Sequence, residues 1–250
     1  MADIMRTSNP ALNDEVFRRQ GYAVGDTMTL SGTVNKTGIL VILAMASATW
    51  TWNLTTSSPQ SASGLAILGV FGGLILALAT TFKNSWSPVT APLYALLEGL
   101  FLGAISAVFD RRYPGIAITA VGLTFGTLIA LLLVYRAGFI RVTDKFRLGV
   151  MAATGGIAFF YFLTMILGFF GIRFTSVYGA GPIGIGFSIF VVIIAALNLV
   201  LDFDFIERGT QQGAPKYMEW YGGFALLVTL VWLYLEILRL LAKLRGNQRD

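Results

Sequence analysis

Apolar residues run along this chain in seven unbroken stretches, 37–52, 63–82, 89–109, 116–135, 148–171, 182–206 and 217–241, separated by short polar segments. The stretches are continuously apolar rather than alternating, which predicts helices and not barrel strands. A helix needs about 20 apolar residues to cross a bilayer. The pattern therefore predicts an all-α membrane protein built as a bundle of seven transmembrane helices. The first stretch is short and ends in T-W-T-W, where Trp50 and Trp52 read as interfacial anchors. Residues 1–36 form a polar lead, expected to be partly disordered or to lie on the membrane surface, with no cleavable signal peptide. Residues 37–245 form one bundle and 246–250 a tail, with the longest connections expected at 53–62, 136–147 and 207–216.

Charge between the stretches gives an orientation. Arg6, Arg18, Arg19, Lys36, Lys83, Arg136, Arg141, Lys145, Arg147, Arg208 and Lys216 fall on one side, and Arg111, Arg112 and Arg173 on the other. Eleven against three places the N-terminus in the cytoplasm. Arg239, Lys243, Arg245 and Arg249 then fall on the wrong side. Either the tail is a tolerated exception, or the last helix is buried in the bundle; the second is favoured, because a helix carrying Glu236 and Arg239 is better hidden from lipid.

Composition narrows the chemistry. Only 12% of the 250 residues are charged, against about 25% in an ordinary globular domain. There is no Cys and no His, which excludes disulfides, thiolate and imidazole metal sites, His-based triads and His proton relays. The net charge of +5 reflects residues lying between apolar stretches, so it reports topology and implies no nucleic-acid partner. Carboxylates, Lys, Arg, Tyr and Ser must carry any chemistry.

Of the acids within the apolar stretches, Glu98, Asp202 and Glu236 lie deepest, while Asp204 is nearer the end of its stretch. Ionisable groups at membrane depth cost about 2.5–3.5 kcal/mol each even on the lenient insertion scale, and their default reading is an ion or proton path. Asn198 is four residues from Asp202 and shares its helix face, as a supporting residue, whereas Asp204 points roughly the other way. Asp204 is placed to pair with Arg208 four residues on, and Glu236 with Arg239 three residues on. Glu98 reads equally as a path residue or as a structural hydrogen bond to a neighbouring helix. G-x-x-x-G occurs at Gly69/Gly73, Gly99/Gly103 and Gly122/Gly126 and predicts close helix packing within the bundle, with self-association as the rarer use. The G-x-G-x-x-G match at 179–184 follows no strand and opens a membrane helix, so it is no dinucleotide site.

Taken in order, P-L-Y-A-L-L-E-G-L-F-L-G-A-I-S (92–106), L-V-L-D-F-D-F-I (199–206) and W-L-Y-L-E-I-L-R-L-L (232–241) resemble the Bax inhibitor family, that of the YccA-like and lifeguard proteins. The resemblance covers the chain from about Gly32 to its end. It implies a bundle whose last helix is central, and a proton-sensitive calcium leak controlled by an acid pair on helices six and seven. Carried over by position, those acids are Asp202 and Glu236, Glu236 standing where Asp is commoner. Where some bacterial relatives carry arginines near the end of the second helix, this chain reads T-T-F-K-N. That leaves Lys83, besides Arg239, as candidate counter-ion. A bacterial cytoplasmic membrane is the expected location.

Two carboxylates within about 4–6 Å at low dielectric resist double ionisation and share a proton. Calcium wants six to eight oxygens, so Asp202 and Glu236 would hold it only transiently, as a permeant ion, with no resident cofactor. The expected function is a proton-sensitive calcium or other cation leak gated by that pair. A second class stays open: a non-transporting modulator that binds other membrane proteins such as quality-control proteases. An enzyme is not expected, because His and Cys are absent and the signatures of intramembrane aspartyl proteases are missing.

Overall fold

A computed structural model describes residues 26–171 and 174–247. Seven long helices follow one another: α1 (Leu30–Ser57), α2 (Pro59–Phe82), α3 (Ser87–Arg112), α4 (Ile116–Arg136), α5 (Asp144–Phe169), α6 (Pro182–Gln211) and α7 (Met218–Asn247). Each is long and apolar enough to span a bilayer. The protein is an all-α, seven-helix membrane bundle. Residues 1–25 of the polar lead, with Arg6, Arg18 and Arg19, lie outside the described residues, as do Arg173 and Arg249. We call the end at which α1 begins proximal and the opposite end distal.

Helix boundaries depart from the hydropathy reading at both ends of α1. The helix begins at Leu30 rather than 37, capped by Thr29, whose side chain accepts from the Gly32 N–H. It also runs through the polar stretch expected as a loop at 53–62, so that only Ser58 separates α1 from α2. The reason is local. Thr51, Thr55 and Ser57 donate their hydroxyls to the carbonyls of Ser47, Thr51 and Asn53, four residues back. Polar side chains that bond their own helix do not end it in a membrane. Pro59 then fills the first position of α2, where its missing N–H costs nothing. Likewise α6 continues past the apolar stretch to Gln211.

The last helix is the axis of the bundle. In its most apolar window 67% of α7 is buried, against 17–44% in the other six helices. It packs on α1, α3, α4 and α6, while α5 lies outside against α6. Leu40 of α1, Ile116 of α4, Leu199 of α6 and Tyr221, Phe224 and Leu233 of α7 are almost fully buried in one shared core. Polar stitches fix the register: the Ser87 hydroxyl donates to the Tyr217 carbonyl proximally, and Ser106 and Tyr234 share a 2.6 Å hydrogen bond further along. The outer helices turn Ile67, Phe71 and Ile75 of α2 and Phe159, Phe162 and Met165 of α5 outward. Such a surface is a liability in water and is ordinary in lipid.

Glycines let backbones touch at two of the three small-residue pairs. A Cβ on Gly99 would overlap the Ser47 hydroxyl and the Ala44 carbonyl of α1, and one on Gly103 the Ala48 carbonyl. A Cβ on Gly69 would come within 2.9 Å of the Phe101 nitrogen. Gly122 and Gly126 face open space instead. Gly103→Ala is therefore expected to destabilise the protein by about 1–3 kcal/mol, as overpacking does. Gly122→Ala should stay within about 0.5 kcal/mol of the parent. Thermal unfolding of both variants in detergent checks the pair, and equal losses would contradict the packing assigned to α1 and α3.

Candidate functional site

Asp202 lies in the proximal half of α6, 1% exposed, against α7. Its side-chain partner is the Thr229 hydroxyl of α7, which also sits 3.3 Å from the Ala225 carbonyl of its own helix. The second carboxylate oxygen, Oδ2, is buried and has no hydrogen-bond partner among the described residues. One turn away, Asn198 turns to α5 instead, donating to Thr154 Oγ1 at 2.8 Å and to the Ile194 carbonyl at 2.8 Å.

Glu236 is 2% exposed and has a different set of partners. Its Oε1 accepts from Arg239 Nη1 at 2.7 Å and from the Tyr161 hydroxyl of α5 at 3.1 Å. Arg239 Nη1 also donates to the Tyr161 oxygen at 2.9 Å, closing a three-membered cluster, while Glu236 Oε2 stays buried and unpartnered. The expected carboxylate pair is not assembled in this structure. Asp202 meets α7 at Thr229, and Glu236 stands seven residues further along that helix, about 10 Å of rise. The two acids occupy successive levels of the same α6–α7 seam.

The remaining acids are placed more simply. Asp204 points away from Asp202, as its two-residue offset requires, and is held between Arg208 of its own helix at 2.7 Å and buried Arg147 of α5 at 2.8 Å. Glu98 lies off the α7 axis in the α2–α3 interface. It is hydrogen-bonded to Tyr94 one turn earlier, and a Cβ on Gly73 would come within 3.0 Å of its Oε2. Lys83 is not brought to either acid; its ammonium sits 4.2 Å over the Trp86 ring at the proximal end. Arg239 is thus the cation that the fold supplies to Glu236.

A fourth buried acid, Glu219, closes the proximal end. It is 0% exposed in the first turn of α7. Its Oε1 accepts from the Thr29 N–H at 3.0 Å and the Thr29 hydroxyl at 2.8 Å. Lys216 lies 3.0 Å from Oε1 and Lys36 3.7 Å from Oε2. The carboxylate thereby sits at the N-terminus of α1, where helix N–H groups favour an anion. Gly32 makes the room, since any Cβ there would overlap the Glu219 carboxylate. The chain before α1 is tied to the same place by Met28 N–H donating to Ala214 O and Lys216 N–H to Asp26 O.

A profile of the family described as Bax inhibitor 1 like matches residues 9–246, nearly the whole chain. The chain belongs to the Bax inhibitor family. No curated protein and no solved structure matches it.

In this Bax inhibitor family member the match spans every acid described above. Among the described residues no group of three or more acidic side chains is gathered that could hold a metal ion. What the arrangement offers is a series of buried carboxylates down one central helix. Sequence reasoning missed Glu219, Tyr161 and Arg147 because their partners are remote: 190 residues separate Thr29 from Glu219 and 75 separate Tyr161 from Glu236. An acid in the first turn of a helix was the signal available for Glu219.

The Glu219 latch makes a specific expectation. Gly32→Ala pushes a methyl into the carboxylate, and Glu219→Ala orphans the Thr29 donors; each should lower stability by about 1–3 kcal/mol. The double variant should be no less stable than Glu219→Ala, because the methyl then enters vacated space. Thermal unfolding of the four proteins checks this, and fully additive losses would place the role of Gly32 elsewhere.

Proposed function

We propose that this protein is a proton-sensitive leak for calcium or another small cation, with Asp202 as its proton-sensitive group. The observation that carries the reading is the fully enclosed carboxylate of Asp202, with one hydroxyl partner and one oxygen left unpartnered. Buried carboxylates are costly unless paired, and unpaired ones at membrane depth mark ion or proton paths. Ionising Asp202 where it lies adds a charge that no cation meets. The α6–α7 seam must then open or admit a cation. An incomplete site of this kind suits permeation, because an ion must leave as readily as it enters.

In this reading the path follows α7, and the enclosure of Asp202 corresponds to its closed state. Glu236 is the second station, held shut by Arg239 and Tyr161, so that the two acids act in series rather than as a proton-sharing pair. Glu219 ties the proximal entrance. Glu98 lies outside the path, in the α2–α3 interface.

Calcium flux into liposomes holding the purified protein, measured between about pH 6 and 8, tests the reading in the range expected for a perturbed carboxylate. Asp202→Asn should flatten the pH response to within about twofold, where a single titrating group changes one of its forms by up to about tenfold per pH unit. Asp204→Asn and Glu98→Gln should keep the response, because one acid is already neutralised by two arginines and the other lies off the α7 axis. A response lost in Asp204→Asn and kept in Asp202→Asn would move the functional acid two residues on. No flux above protein-free liposomes at any pH would favour the non-transporting, partner-binding reading.

A further inference from the structure

At the distal end a cavity of about 510 Å³ lies between the end of α3, the last turns of α7 and the segment leading into α6. Among the described residues its lining carries three cations, Arg112, Arg239 and Lys243, beside Tyr113 and Tyr178, and no carboxylate. Arg239 and Lys243 are four residues apart and so share one face of α7. Three positive charges gathered at the membrane-surface end of a bundle, with only Glu236 paired to one of them, leave a positive surplus that an anion would offset.

The state of each cation sharpens the point. Lys243 is 7% exposed, yet its ammonium meets only neutral oxygens: the Val177 carbonyl at 2.8 Å, the Gly184 carbonyl at 2.9 Å and the Ser188 hydroxyl at 2.8 Å. Those bonds fix the charge in place without neutralising it. Arg239 spends one nitrogen, Nη1, on Glu236 and Tyr161. Its Nε and Nη2 donate to no described residue, and its side chain is 39% exposed. Arg112 is exposed, and among the described residues its contact is with the Tyr113 ring, 5.7 Å from the guanidinium. Counting Glu236 against Arg239, the cluster keeps a surplus of positive charge. A guanidinium presents a planar fork that fits phosphate oxygens two at a time, and an ammonium adds a point charge.

We propose that this cavity binds a phosphate-type oxyanion, held by Arg112 and Arg239, with the charge of the fully bonded Lys243 ammonium adding to the attraction. The phosphate comes either from the headgroup of an anionic phospholipid, for which basic pockets between membrane helices are suited, or from free phosphate. This site is separate from Asp202, and binding is read without any ion flux, so its failure leaves the leak reading untouched.

The test is calorimetric titration of the full-length, delipidated protein in detergent. Three probes are used: inorganic phosphate, short-chain phosphatidylglycerol kept below its micelle concentration, and the matching phosphatidylcholine. One site is expected, with phosphatidylcholine silent. Arg112→Gln should weaken it about tenfold, the loss of one charge-assisted contact. Arg239→Gln should weaken it similarly, and Lys83→Gln at the proximal end should leave it unchanged. Saturable phosphate binding supports the proposal with free phosphate as the source. Phosphatidylglycerol binding without phosphate binding supports it with the lipid headgroup as the source. No binding of either anion, equal binding of phosphatidylcholine, or affinity unchanged in both Arg112→Gln and Arg239→Gln overturns it. Arg112 is exposed and bonds nothing buried, so its variant keeps the test readable even if Arg239→Gln unfolds.

Discussion

Lipid cannot solvate a carboxylate, and α7 carries two of them, Glu219 and Glu236, together with Arg239 and Lys243. A helix so charged can span a bilayer only if protein replaces water around it. That requirement puts α7 at the centre, and the rest of the architecture follows. Helices α1, α3, α4 and α6 wrap around it, and the polar groups nearest it turn inward: Thr29 to Glu219, Thr229 to Asp202, Tyr161 to Glu236, Tyr234 to Ser106. The outer faces of α2 and α5 are left free to be uniformly apolar. The basic residues at the end of α7 follow the same logic, since Lys243 is enclosed among carbonyls rather than displayed.

The two ends of the bundle solve the problem differently. Proximally, Glu219 Oε1 is well supplied, with two donors from Thr29 and Lys216 at 3.0 Å, while Oε2 has Lys36 at 3.7 Å and no hydrogen bond among the described residues. Distally, three cations surround one cavity. Between these ends Asp202 has one hydroxyl and no cation. Along this seam Asp202 is the buried acid with the fewest compensating groups among the described residues.

Much of this was legible in the sequence, for reasons that can be named. Seven apolar stretches fixed the number and order of helices, and Glu236 and Arg239 within the last stretch favoured a buried last helix over a tolerated exception in the tail. Pairs within one helix were readable from spacing alone, as Asp204 with Arg208 and Glu236 with Arg239 show. Helix ends were not readable where Ser and Thr bond their own backbone, which is why the expected loop at 53–62 is helix. Pairs between helices were not readable either. Residue spacing places Asp202 and Glu236 on their helices but says nothing of the relative height of α6 and α7. The depth at which α6 meets α7 sets Asp202 beside Thr229 and leaves Glu236 to Arg239 and Tyr161.

The central claim is that Asp202 and Glu236 have separate partners and behave independently. A double-mutant cycle on stability tests it most directly, comparing Asp202→Asn, Glu236→Gln and the double variant by reversible unfolding in detergent. Sites about 10 Å apart with no shared partner should add, with a coupling under about 0.5 kcal/mol. A coupling well above about 1 kcal/mol, as two carboxylates sharing one proton would give, would contradict the account and restore the pair.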